Sequence, residues 1–151
     1  DIFKKAINLA SLAPSSCNRQ SFYFYFSNKK KKSIEIAECA GGTPGWSESI
    51  NSIIVIVGDL SAYPNERDRH LIYIDGSLSA MQLMLAFETL GCSTCAINWP
   101  DIEHREIRLK KILKLKEYER PIMMISVGYA DENGKIPYSM KKKPEELIRN
   151  I

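Results

Sequence analysis

Apolar residues recur at Ile2, Phe3, Ala6, Ile7, Leu9, Ala10 and Ala13, the three-and-four spacing of an amphipathic helix, so residues 1–13 are predicted helical. Pro14, Ser15 and Ser16 stop that pattern and open a polar loop through Gln20. The unbroken run Phe22-Tyr23-Phe24-Tyr25-Phe26 reads as a buried strand, because aromatic side chains suit a packed, pleated surface. Lys29 to Lys32 mark a solvated turn, and a short helix is predicted near Ser33 to Ala40. Gly41 to Gly45 form a loop, and Ile53 to Val57, entirely β-branched, is the clearest strand, bounded by Gly58. A long helical pattern runs from about Asn65 to Leu90, with Leu71, Ile74, Leu78, Met81 and Leu85 on what reads as its apolar side. Gly91 stands just past its end, where a left-handed residue closes a helix. A strand at Thr94 to Trp99, a basic helix at about 101–116 and a strand at Ile122 to Val127, ended by Gly128, complete the series. Helices and strands alternate without regular βαβ spacing, and no repeat or flexible linker interrupts them. The predicted class is α+β, a small sheet covered by helices, in a single domain over 1–151.

With 151 residues, 44% hydrophobic and 26% charged, the chain has the make-up of a soluble globular domain. Disordered, collagen-like and disulfide-dense classes are excluded. Charge is uneven: residues 1–32 carry +6, residues 33–100 carry −6 and residues 101–151 carry +3, within a total of +3. That distribution suggests a local anion site more than a surface coated for DNA. No apolar run approaches the roughly 18 residues of a membrane span. No secretory h-region precedes the cysteines at 17, 39, 92 and 95, so a cytoplasmic chain with reduced thiols is expected.

The candidate chemistry is concentrated in a few segments. The loop Ala13-Pro14-Ser15-Ser16-Cys17-Asn18-Arg19-Gln20 packs hydroxyls, two carboxamides and a guanidinium between a helix end and a strand. Asn and Gln offer donor and acceptor together, which suits the edge of a heterocycle such as a flavin or purine; a plain helix stop with a polar turn is the competing reading. Cys92 and Cys95 make a C-x-x-C, but the pair follows a helix C-terminus, the wrong electrostatic end for an activated dithiol. A structural zinc needs four ligands, and Cys17, Cys39, His70 and His104 are scattered, so small thiols buried on a strand are the simpler account. His70 and His104 sit in charged helical stretches and read as surface residues. Gly76, after Asp75, interrupts the long helix at a cost of about 1 kcal/mol, which close approach of another backbone or a ligand would offset. Lys141 to Lys143 before Pro144-Glu145-Glu146-Leu147 would suit a phosphate beside a helix start, or form a solvated tail. The Lys29–Lys32 run beside the aromatic strand faintly suggests RNA binding, but the glycine-bearing pattern of an RNA-recognition sheet is missing. No phosphate-binding P-loop, dinucleotide fingerprint, zinc-protease motif or nucleophile elbow occurs.

Taken in order, these segments resemble the nitroreductase family of FMN-dependent oxidoreductases over nearly the whole chain. The family's A-P-S-x-x-N-x-Q-P-W-x-F is similar to Ala13 to Phe24, and its Val- and Ile-rich strand ending near an Asp is similar to Ile53 to Asp59. The form D-x-G/S-x-A-x-Q-N-L-x-L-A-A-x-x-L-G resembles Asp75 to Gly91, G-Y-P resembles Gly128-Tyr129, and a basic pair before P-x-E-E resembles Lys141 to Glu146. The resemblance implies a three-layer sandwich with a mixed, mostly antiparallel sheet, in an intertwined homodimer with two FMN molecules at the subunit interface. It implies that Pro14, Ser15, Ser16, Asn18 and Gln20 hold the flavin ring and ribityl chain. It further implies that Cys95, Ala96, Ile97 and Asn98 line the ring through backbone groups, and that Lys141 and Lys142 meet the phosphate. NAD(P)H is the implied electron donor, and a small nitroaromatic, quinone or similar molecule the acceptor, by ping-pong kinetics with no obligatory side-chain acid or base and no metal. A flavin sensor or carrier of the same fold is the alternative; nucleic-acid and membrane partners are not expected. Two departures stand out. The family's opening R-R-S-x-R-x-F segment has no counterpart from Asp1 onward, so either an upstream segment or weaker FMN binding is expected. Ser21-Phe22 also replaces the usual Pro-Trp.

Overall fold

The computed structural model describes residues 1–151. In chain order the elements are α1 (Ile2–Ala10), β1 (Phe22–Ser27), α2 (Lys30–Ala40), β2 (Ser52–Asp59), α3 (Leu71–Thr89), β3 (Ser93–Asn98), α4 (Glu103–Leu113), β4 (Glu119–Gly128) and α5 (Pro144–Leu147), with four short 3₁₀ turns between them. The four strands form one sheet in the order β1-β2-β4-β3, and all three pairings are antiparallel. Helices cover both faces, giving the three-layer sandwich.

Strand alternation decides which layer each side chain joins. On one face Phe22, Ile54, Ile56 and Ile125 pack with Ala6 and Ala10 of α1 and with Ala80, Leu83, Ala86 and Phe87 of α3. On the other face Ile53, Val55, Val57, Ile97 and Met124 pack with Ile36, Ala37 and Ala40 of α2 and Leu109 of α4. This is why β2 reads as an unbroken Ile/Val run: it is central and covered on both sides, and Ile53 through Val57 expose nothing.

Several boundaries differ from the sequence expectation, each for a physical reason. The first helix ends at Ala10, three residues early, where the Ser11 hydroxyl donates to Asn8 O and draws the chain into a turn. The FYFYF run is a strand, but an edge strand with Tyr23 and Phe26 half-exposed, because nothing pairs with its outer side. Lys30 to Lys32 form the first turn of α2 rather than a solvated turn, despite the unfavourable meeting of cations with the positive end of the helix dipole. The long helix starts at Leu71, since residues 66–68 are taken up by a 3₁₀ turn. Its end is as expected: Gly91 has φ of 78°, its N–H donates to Glu88 O, and the Cys92 N–H donates to Phe87 O, a paired closure of the last turn. β4 begins at Glu119 and passes through Pro121, which a central strand tolerates only at a bulge; the register slips there, opposite Ile56 and Val57.

The largest correction concerns α3. Ile74, Leu78, Met81 and Leu85, expected in the core, are 44–55% exposed, while Gly76, Ser79, Ala80, Leu83 and Phe87 face the sheet. A side chain at Gly76 would collide with Ile122, so the sheet packs tightly against the helix there. The approach that the glycine permits is to side chains of the sheet, not to another backbone.

Candidate functional site

The polar loop after α1 is held in an unusual conformation. Cys17, Asn18 and Gln20 all have left-handed φ values, 50°, 53° and 50°. Such values are costly for residues with a side chain, most readily tolerated by Asn. They persist because the loop is bonded at many points. The Ser16 N–H donates to both carboxylate oxygens of Asp75, at 3.2 and 3.1 Å, and the Gln20 N–H donates to Ser15 Oγ at 3.0 Å. The Arg19 guanidinium donates to Ala62 O at 2.7 Å and lies 5.7 Å from the Tyr63 ring centre. Ser21 Oγ and Tyr63 Oη are 2.6 Å apart, and Tyr63 Oη donates to Asp75 at 2.8 Å. Burial pushes the Tyr63 phenol above its usual pKa, and the Asp75 carboxyl adds to the rise. Among the flavin-loop candidates, then, Ser15 and the Ser16 and Gln20 amides stabilise the loop itself, the Gln20 carboxamide donates to Asn18 O at 3.3 Å, and Asn18 is exposed.

Asp75 was missed as a site-building residue. The sequence drew attention to Asp75-Gly76 as an interruption and as the start of a family-like motif, not as a loop anchor, yet the acid is 2% exposed and holds the loop. A lone charged residue within the otherwise uncharged stretch Leu71 to Phe87 was the available signal.

Cys95, Ala96, Ile97 and Asn98 lie on β3, the opposite edge of the sheet. Ile97 inserts its side chain into the α2/α4 core, whereas Cys95, Ala96 and Asn98 are exposed. β3 pairs only with β4, so half of its backbone N–H and C=O groups face outward unpaired. Cys95 also borders a cavity of about 280 Å³ shared with Trp46, Thr94, Ser126 and Tyr129. The C-x-x-C does not act as a pair: Cys92 is buried and Cys95 exposed, and all four cysteines are free. Burial raises the pKa of the Cys39 thiol. No group of three or more His, Cys, Asp or Glu side chains is placed to hold a metal ion. His70 and His104 are exposed.

Lys141 and Lys142 are exposed in the segment after β4, just before α5, whose first residue is Pro144 and whose Glu146 accepts the Lys143 N–H at 3.3 Å. In the same segment Ile136, Tyr138 and Met140 are 81–92% exposed. Thus one chain assembles its candidate residues into three separate groups. The loop leads into β1 and the Cys95–Asn98 group lies on β3, edge strands three spacings apart, about 14 Å across the width of the sheet.

The family model described as Nitroreductase family matches residues 44–129, more than half of the chain. The chain belongs to the nitroreductase family. It is 25% identical, over 88% of its length and 82% of the relative's, to the Bacillus subtilis (strain 168) protein named "Putative NAD(P)H nitroreductase YodC". Solved structures share the fold of this nitroreductase-family chain. An FMN-dependent nitroreductase of Clostridium difficile R20291 superposes with a TM-score of 0.81 at 23% identity, covering 98% of this chain and 85% of that one. A nitroreductase family protein of Streptococcus pneumoniae TIGR4 gives 0.80 at 22% identity, with coverages of 99% and 88%. No helix is long and apolar enough to cross a membrane.

Proposed function

We propose that this nitroreductase-family chain is an FMN-dependent oxidoreductase that carries electrons from NAD(P)H to a small acceptor such as a nitroaromatic or quinone, the two substrates using one site in turn. The observation that carries the reading is the rigid polar loop Pro14–Gln20 at one sheet edge, matched by the open backbone edge of Cys95–Asn98 at the other. The printed names of relatives that use NAD(P)H or FMN support it.

The residues present fit FMN by the chemistry of their donor set. The Ser16 hydroxyl and the Asn18 carboxamide, with the remaining donor of Ser15 Oγ and the remaining acceptor of the Gln20 carboxamide, can both donate and accept, as the alternating edge of an isoalloxazine ring requires, with Pro14 lending an apolar surface beside them. The outward N–H groups of β3 would favour negative charge at the ring. Lys141 and Lys142 would meet the phosphate. FMN, when bound, supplies the two-electron chemistry, and the protein supplies position and electrostatics. No side-chain acid or base is assigned a proton.

A second copy completes the site. α3 is apolar all round, the mark of a helix covered on both sides, and its outer row of Ile74, Leu78, Met81 and Leu85 has no cover within the chain. We read this face as the centre of a homodimer, which brings the loop of one chain to β3 of the other and places two FMN molecules at the interface.

The visible absorbance of gel-filtered protein, before and after anaerobic NADPH and then NADH, tests the reading. A flavin spectrum that bleaches is the expected result. Flavin that stays oxidised with both donors would favour a sensor or carrier, and protein that takes up no added FMN would refute the proposal.

A further inference from the structure

The Asp75 carboxyl is an expensive group to keep where it is. It lies on the sheet-facing side of α3, 2% exposed, and takes part in no ion pair. A buried acid without a counter-ion costs stability unless its acceptors are filled by well-placed donors. Here both donors lead to the same loop. Ser16, at the loop's beginning, donates its N–H directly. Ser21, at its end, is reached through Tyr63, whose hydroxyl meets Ser21 Oγ at 2.6 Å and Asp75 Oδ2 at 2.8 Å. Ser21 O in turn accepts the Asp59 N–H at 2.9 Å, which locks that end to the sheet. Between these two anchors lie the left-handed residues Cys17, Asn18 and Gln20. A strained backbone persists only where its surroundings over-determine it, and one carboxyl tying both ends of the loop does that.

We propose that Asp75, acting with Tyr63 and Ser21, is a positioning residue that holds the loop Pro14–Gln20 in its flavin-receiving form and so sets flavin affinity without touching the flavin. The inference rests on the FMN reading above. It follows that the cost of burying Asp75 is a cost of preorganising the cofactor loop.

The test titrates apoprotein into FMN, and separately into riboflavin, following the quenching of flavin fluorescence. Asp75→Ala, which removes the acceptor of both the Ser16 N–H and the Tyr63 hydroxyl, is expected to raise the FMN dissociation constant at least about tenfold, the effect of a single hydrogen bond to a charged acceptor. Riboflavin should weaken by the same factor, because the loop serves the ring and ribityl chain rather than the phosphate. Asp75→Asn, which keeps an acceptor for the Ser16 N–H, should recover most of the affinity, and Tyr63→Phe should cost about threefold, as a neutral bond does. Amide exchange at Ser16 and Gln20 should quicken in Asp75→Ala while exchange in β2 stays slow. Leu83→Ala, a core truncation on the same helix, separates positioning from general stability: it should lower the melting temperature yet leave the dissociation constant within twofold. Asp75→Ala that binds within twofold of wild type, or that weakens binding no more than Leu83→Ala does, overturns the inference. If Asp75→Ala does not fold, Tyr63→Phe decides by the same criterion of a twofold change. Wild-type protein that binds no FMN removes the functional reading and this inference together, whereas wild type that binds while every loop-anchor variant binds equally removes the inference alone.

Discussion

The two faces of α3 are equally apolar and structurally opposite. The inner face carries Ile72, Asp75, Gly76, Ser79, Ala80, Leu83, Ala86 and Phe87, small through its middle, and the outer face carries Ile74, Leu78, Met81 and Leu85, all large. Hydrophobicity alone cannot say which face meets the sheet. Size can, because a helix lying close on a twisted sheet has room for small residues along its line of nearest approach, and Gly76 marks that line against Ile122 and Ile56. The large residues are therefore left for a surface that can accommodate them, and the proposed second copy of the chain would offer one.

Leu83→Ala should have the largest effect on folding, lowering stability by about 3 kcal/mol, since a fully buried leucine leaves a cavity between α3 and the sheet. Chemical denaturation would read it, and a loss under 1 kcal/mol would mean that the inner face packs loosely. Leu78→Asp, on the outer face, should instead weaken self-association at least about a hundredfold, or about 2.7 kcal/mol, by burying a charge at the interface. Sedimentation should then show monomers with near-native circular dichroism; dimers of unchanged affinity would put the interface elsewhere. Gly76→Val should cost about 2 kcal/mol by overpacking against Ile122, visible as a lowered melting temperature. A rise in that temperature would show that Ile122 moves aside and that the gain in helix propensity wins.

The smallest effect is alkaline. The Cys39 and Tyr63 pKa values are raised mainly by burial, as is that of Tyr25, while Asp59 raises that of Tyr23. Groups held protonated in the folded state contribute stability that is fully present below their unfolded values and is lost as pH climbs through the folded ones. Stability should therefore decline above about pH 9, where unfolded Cys and then Tyr begin to ionise. Tyr63→Phe should make the decline shallower. A slope unchanged by that substitution would assign the alkaline loss to other groups.

Much of this molecule was legible from residue order. The Ile53–Val57 strand, the Gly91 helix end and the polar loop between Ala13 and Ser21 each follow from local chemistry, because β-branching, a left-handed glycine and a proline stop act within a few residues. Family resemblance reached the candidate site residues, but not what holds them. The role of Asp75 depends on a bond across 59 positions, and nothing near it in sequence announces Ser16 as its partner. The same limit applies to β1: an aromatic run specifies a strand, but whether that strand lies inside or at an edge depends on sheet order.

The sequence by itself determined the elements, their order and the residue types available for a flavin, since these depend on interactions between near neighbours. Tertiary structure alone decided which face of α3 is buried, that the loop is anchored from within the core, and that the two sheet-borne groups of candidate residues occupy opposite edges. Those outcomes depend on distances between segments far apart in the chain, which composition and periodicity do not encode.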